Sequence, residues 1–215
     1  MTTSDNQITI LENGQPTYDR LFSEMKKAKS SINLELYIIR DDQTGKRLKN
    51  ILIQKSREGV EVRLIYDAFG CFFTNKSYFQ DLKENGVKVA AYNPPGSAFI
   101  QGRINNRLHR KIIVIDGRQA FIGGENIGDE YLGKKKLGYW RDTDVLFNGG
   151  AARSLQQVFL YDWFLSAKER ISSPAFFTQA SNISGQKVTI IPGGPESSLN
   201  NMGIVHLKLI SSARQ

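Results

Sequence analysis

The sequence predicts an α/β fold: a mixed, largely parallel β-sheet flanked by helices on both faces. Three observations carry this. Segments with apolar period two alternate with segments of period 3.6 along the chain. Helix-length connections join successive strands, as in βαβ units. Apolar content of 40% and charged content of 23% over 215 residues describe a folded domain with a real core.

The elements follow in order. "ITIL" (8–11) is a short β-branched strand, and Pro16 to Lys29 is a helix with Tyr18, Leu21, Phe22, Met25 and Ala28 at helical spacing. "SINLELYII" (31–39) alternates Ile32, Leu34, Leu36 and Ile38, a half-buried strand. A helix from about Thr44 to Glu58 stops at Gly59, and "VEVRLIY" (60–66) is the next strand. A short helix around Tyr78–Glu84 leads to "VKVAAY" (87–92) and then to a long basic loop, 93–107. Strands near 111–115 and 119–122 meet at Asp116-Gly117, a hairpin signal. "DTDVLF" (142–147) is a further strand, and Gly150 to Arg170 a helix with Leu155, Val158, Phe159 and Trp163 inward.

Residues 171–186 read as a linker, after which the chain starts again. "QITILENG" (7–14) is echoed by "KVTIIPGG" (187–194), and the helix end "EMKKAKSS" by "KLISSARQ", with Ala28-Lys29 matching Ala213-Arg214. The expectation is one complete domain over 1–170 and the opening strand and helix of a second over 187–215. The net charge of +8 suits an anionic partner, nucleic acid or an acidic membrane surface, as well as plain solubility. One cysteine, Cys71, excludes an internal disulfide. No apolar run reaches the length of a membrane span, and the N-terminus lacks the pattern of a secretory signal.

The chemistry is concentrated in "LHRKIIVIDGRQAFIGGEN" (108–126). His109, Lys111, Asp116, Gly123-Gly124 and Asn126 stand at fixed intervals that should coincide by chance on the order of once in a million such chains. Residues two apart in a strand share a face, so an imidazole and an ammonium point into one pocket. Imidazole is a nucleophile toward phosphorus and a proton carrier near neutral pH. Lys111 would steady charge on a phosphoryl oxygen. The glycine pair would let the backbone approach substrate, and Asn126 would donate to a second oxygen. Asp116 is either a catalytic carboxylate or, preferably, a brace of the turn. A nucleophilic histidine needs its other nitrogen held; Asp142 is the first candidate and Asp144 the second. Arg107 and Glu125 complete the expected substrate-binding set with Gly123 and Gly124.

This spacing resembles the phospholipase D superfamily signature, H-x-K-x4-D-x6-G-[GS]-x-N. The blocks "INLELYIIRDD", "GVEVRLIYDAFG", "NRLHRKIIVIDGRQAFIGGENIGDEYLG", "YWRDT" and "VFLYDWFLSA" are further similar to the amino-terminal catalytic half of the bacterial cardiolipin synthases. The resemblance implies a phospholipase D-like fold and phosphatidyl transfer between two phosphatidylglycerol molecules through a phosphohistidine. It implies no metal and no organic cofactor. It also implies a peripheral place on the cytoplasmic side of the membrane, and as partners phosphatidylglycerol, the anionic membrane surface and a second motif-bearing half or a homodimer. Nucleic acid is not expected, although a nuclease-like phosphodiesterase or an inert lipid-binding piece would share these residues. The family carries two motifs and this chain one. His206-x-Lys208 lies in a helical pattern with Ala213 where aspartate should stand. The chain therefore reads as an internal piece without the family's membrane helices. "GDEYLGKK" (128–135) mimics a P-loop but lacks its Ser or Thr and carries two acids. The aromatic loop "GCFFTNKSYF" (70–79) packs in the core, lines an acyl channel or meets a bilayer.

Overall fold

The computed structural model describes residues 1–96, 105–133, 138, 140–172, 176, 185–194 and 201–213. Its strands are β1 (Thr2–Glu12), β2 (Ser31–Leu36), β3 (Glu61–Asp67), β4 (Lys88–Tyr92), β5 (Ile112–Ile115), β6 (Gln119–Gly123), β7 (Thr143–Gly149) and β8 (Gln186–Thr189). The helices are α1 (Gly14–Lys27), α2 (Gln43–Arg57), α3 (Lys76–Glu84), α4 (Gly150–Ala167) and α5 (Asn201–Ser212), with a 3-10 turn at Asp129–Leu132.

One sheet runs β4-β3-β2-β5-β6-β7-β1-β8. It is mixed but not largely parallel: only β2·β3 and β3·β4 are parallel, and the other pairs are antiparallel. The crossovers through α2 and α3 make the two parallel pairs. Helix α1 is also a crossover, but β5, β6 and β7 stand between β1 and β2. The hairpin that inserts there turns at Asp116 and Gly117, both left-handed with φ of 52° and 62°, the geometry of a type I′ turn.

Strand directions decide where the site can be. Followed across the sheet, they bring to one edge the C-terminal ends of β1, β2, β3, β4 and β6 and the N-terminal ends of β5 and β7. Everything just after β2 and β3, just before β5 and around the β6–β7 connection therefore meets at that edge.

Helices α1–α3 cover one face through Tyr18, Phe22, Met25, Leu48, Leu52 and Tyr78 against Ile32, Leu34, Ile113 and Ile115. Helix α4 covers the other through Ala151, Ala152 and Leu155 against Ile112 and Val114, and through Phe159 and Trp163 against Ile65 and Tyr92. Strand β2 is thus buried on both faces, not half-buried as its alternation implies. Its α4-facing residues are polar and pair internally: Asn33 donates to Gln156 at 3.2 Å, and Glu35 lies against Asp162. Burial, then the Asp162 charge, pushes the Glu35 carboxyl well up, so it stays protonated there, while Arg110 pairs with Asp162. Strand β1 is far longer than its apolar stretch because β7 and β8 pair with it on both sides. The echo strand, β8, therefore joins the same sheet. His206 lies in α5, exposed.

Candidate active site

The edge defined above collects His109, Lys111, the glycine pair, Asn126, Asp142 and Asp144, together with Tyr37 and Asp67. Asp67 ends β3 and accepts the backbone N–H of buried Leu108 at 2.9 Å, which fixes the chain one residue before His109. The His109 side chain is exposed, with its ring centroid 4.9 Å from that of Tyr37. Lys111 is only 6% exposed. Its Nζ sits 3.2 Å from both ring nitrogens of His109 and donates to the His109 carbonyl at 2.9 Å. The expected pair does lie together, and its cation is held against the ring by a buried four-carbon stem.

The electrostatics favour a neutral imidazole. Partial burial, and then Lys111, lowers the His109 pKa against an opposing pull from Asp67. Burial likewise lowers the Lys111 pKa, while Asp142 and Asp144 work to keep it charged. The two acids therefore act on the lysine. Among the described residues no carboxylate hydrogen-bonds the His109 ring, and Asp142, the expected histidine partner, instead accepts from the Thr143 N–H at 2.9 Å. The carboxylate whose charge reaches His109 is that of Asp67.

Several sequence expectations change in their physical reason. A Cβ on Gly123 would fall 1.4 Å from an Asp144 carboxylate oxygen, and one on Gly124 2.3 Å from Asp142 Oδ1. The glycine pair makes room for the two acids that act on Lys111. Asn126 accepts from the Ile38 N–H at 3.0 Å and donates to the Tyr131 hydroxyl at 3.1 Å, so its amide ties β2's exit to the loop after β6 and keeps one N–H in hand. Asp116 is not catalytic by position: it ends β5 at the opposite edge, about 20 Å of strand from His109. There it accepts the backbone N–H groups of Lys29, Ser30 and Ser31 and the Ser30 hydroxyl. It braces the turn into β2, not the hairpin it belongs to. Arg107 is half-buried, with its guanidinium 4.5 Å over Phe69. In the P-loop mimic, Asp129 instead caps α2 by accepting from the Thr44 N–H and hydroxyl. Lys134, Lys135 and Tyr139 lie outside the described residues.

Glu125 does not face the open edge. It is buried, and its two carboxylate oxygens have no hydrogen-bond partner among the described residues. It lines a small cavity behind Lys111 with Tyr18, Leu36, Phe121 and Asp144. Burial, then Asp144 and Asp142, pushes its carboxyl up to about 8, and burial pushes Asp144 up to about 6. A raised carboxyl pKa favours folding at low pH, and that stability is lost as pH rises from the ordinary range through the folded value. The protein should therefore lose stability between about pH 4.5 and 8 on account of Glu125. Glu125→Gln should leave Tm nearly unchanged at pH 5 and raise it by roughly 5 °C at pH 8.5, on the order of 2 kcal/mol. Thermal melts of both proteins at the two pH values check this; parallel curves would show that Glu125 is already ionised.

Tyr37 and Asp67 carry no signal of a site in the sequence. They stand at strand ends inside apolar runs, a position that becomes informative only once β2, β3 and β5 are known to be neighbours. Tyr18 reads from its spacing as a helix core residue, and its place in the cavity beside Glu125 is equally silent.

Comparisons with known proteins show the family and the fold. The family described as cardiolipin synthase, PLD-like domain, matches residues 21–163. The chain is 43% identical over 209 residues to cardiolipin synthase 2 of Bacillus anthracis, covering 95% of this chain and 40% of that protein. It is 42% identical over 213 residues to the cardiolipin synthase of Geobacillus kaustophilus, covering 98% of this chain and 42% of that protein. The chain thus spans about two fifths of the length of these relatives. Among solved structures, the phospholipase D family member Nuc from Salmonella typhimurium superposes with a TM-score of 0.58 at 16% identity, over 77% of this chain and 99% of that one. That likeness establishes the phospholipase D-like fold. Among the described residues no helix is long and apolar enough to cross a membrane.

Proposed function

Because the chain belongs to the PLD-like domain family of cardiolipin synthases, we propose that it is the half of a phosphatidyltransferase that supplies one histidine, joining two phosphatidylglycerol molecules into cardiolipin and free glycerol. The observation that carries this reading is the exposed His109 ring with Lys111 Nζ 3.2 Å from its nitrogens. A lowered pKa keeps a lone pair on the imidazole at neutral pH, the form a nucleophile needs.

His109 attacks the phosphodiester phosphorus. The P–N bond forms as the P–O bond to glycerol breaks, and the departing alkoxide takes a proton from an acid. Lys111 shifts from the imidazole to a non-bridging oxygen, where charge grows. The remaining Asn126 N–H can serve a second oxygen. The hydroxyl of another phosphatidylglycerol then attacks the phosphorus, a base takes its proton, and His109 is released. That acid and base is a second histidine, supplied by a second motif-bearing half or by a second copy of this chain. On this reading residues 1–170 form the complete first domain, 171–186 the linker, and 187–215 open the second. The protein then works on an anionic membrane surface.

The test is trapping. Incubation with phosphatidylglycerol labelled in its phosphatidyl group, followed by an acid-free quench, should place label on His109. His109→Ala should lose it and His206→Ala should keep it. Label that survives His109→Ala overturns the assignment.

A further inference from the structure

We infer that the turn carrying Phe69, Phe72 and Phe73 is a rigid wedge that enters the interfacial layer of an anionic phospholipid bilayer and brings that surface to His109. The inference rests on the reading above of a membrane phosphodiester as substrate.

The three rings are 61%, 70% and 85% exposed, within five residues of one turn. Leaving them in water is unfavourable, and a floppy loop could fold them inward. This turn cannot, because its backbone is clamped. Asp67 Oδ1 accepts the N–H groups of Phe69 and Gly70 at 2.9 Å. Cys71 is buried, and its sulfur receives the Ile39 N–H at 3.3 Å. The Thr74 hydroxyl donates to the Ile39 carbonyl. Gly70 lies so close to Tyr37 that a Cβ there would meet the Tyr37 carbonyl oxygen at 2.1 Å. The clamp therefore points the rings outward by construction.

The surroundings choose the occupant. Lys76 is the sole charged residue of the stretch 68–77, and it is exposed. The Arg107 guanidinium lies 4.5 Å over the Phe69 ring. Aromatic rings with flanking cations are the composition of an anionic membrane interface. The position agrees: the turn is fastened to Tyr37, whose ring packs on His109. A second protein half is the weaker candidate, because the echo strand β8 joins the sheet beyond β1, with five strands between it and β3.

The experiment is co-sedimentation of the whole chain with vesicles of equal parts phosphatidylcholine and phosphatidylglycerol. Wild type should bind, and the double variant Phe72→Asp/Phe73→Asp should partition at least ~10-fold more weakly with an unchanged Tm. Phe72→Trp, which keeps the turn aromatic, should gain a blue-shifted emission that shallowly brominated lipids quench beyond the background of Trp140 and Trp163. Failure of wild type to bind, equal binding by the double variant, or an unquenched added emission in Phe72→Trp would overturn the inference. So would a double variant that loses self-association on size exclusion while keeping its lipid affinity. Labelling of His109 by a short-chain phosphatidylglycerol below its micellar concentration reports the chemistry without a surface. The double variant should keep it. Its absence in wild type would overturn the proposed reaction, while vesicle binding still decides the wedge.

Discussion

Lys111→Met is expected to slow phosphatidyl labelling of His109 by about 10²–10³-fold and, in the same protein, to raise the His109 pKa. The first effect follows from position. Lys111 Nζ lies 3.2 Å from both ring nitrogens and is largely desolvated, so its field is weakly screened where charge would grow on the phosphoryl oxygens. The second follows from the His109 environment, where burial and then Lys111 depress the pKa and Asp67 opposes them. Removing the ammonium leaves burial against Asp67, and the imidazole gains protons more readily. A greater fraction is then protonated and non-nucleophilic at neutral pH, so part of the rate loss should be recovered at higher pH. Histidine NMR titration reads the pKa without turnover. A rate loss without a pKa shift would assign Lys111 to the phosphoryl group alone. A pKa shift without a rate loss would remove it from the reaction. Lys111→Arg tests shape against charge, since a planar guanidinium does not fit where a compact ammonium sits under a ring.

The two residues of greatest chemical consequence are readable because their relation is local. His109 and Lys111 are two apart, and a two-residue separation in extended chain fixes a shared face whatever the sheet order. The Asp116-Gly117 turn is readable for the same reason, since its type depends on two adjacent backbone conformations. What depends on neighbours far along the chain is not. Tyr37 reaches His109 only because β5 pairs antiparallel with β2, and Asp67 reaches Leu108 only because β3 lies beyond it. The glycine pair reads as room for a ligand. The room it leaves for two carboxylates comes from the β6·β7 register that sets Gly123 opposite Asp144. The polar half of β1 carries no apolar signal, and pairing on both sides makes it a strand all the same. The sheet reads as largely parallel because helix-length connections imply parallel neighbours, and nothing local reveals that a hairpin has been inserted between them.

Asp116→Ala should cost about 3 kcal/mol at neutral pH and lower Tm by roughly 9 °C, although the residue lies far from the reacting atoms. Its carboxylate is the acceptor for three successive backbone N–H groups, those of Lys29, Ser30 and Ser31. Burial would push its pKa up, but these donations outweigh burial and hold it below the ordinary carboxylate range. Alanine leaves three donors in a turn too tight to offer them other protein partners. Water repays part of the loss because the site is not sealed, which keeps the figure below the sum of three charged hydrogen bonds. A depressed carboxyl pKa contributes stability above its unfolded value, and that contribution is lost as pH falls through the folded value. The gap between wild type and Asp116→Ala should therefore narrow below about pH 4, which melts from pH 7 down to 3 would follow. Asp116→Asn keeps one acceptor oxygen without the charge and should fall between the two. The brace also fastens the start of β2 to the end of β5, where Ile32 stands opposite Ile115. That pairing carries through to the far edge, where the same two strands deliver Tyr37 and His109. If register is what Asp116 protects, Asp116→Ala should lose His109 labelling even at a temperature where it is fully folded, and Asp116→Asn should recover it. A folded alanine variant with wild-type labelling would make Asp116 a stabilising residue only.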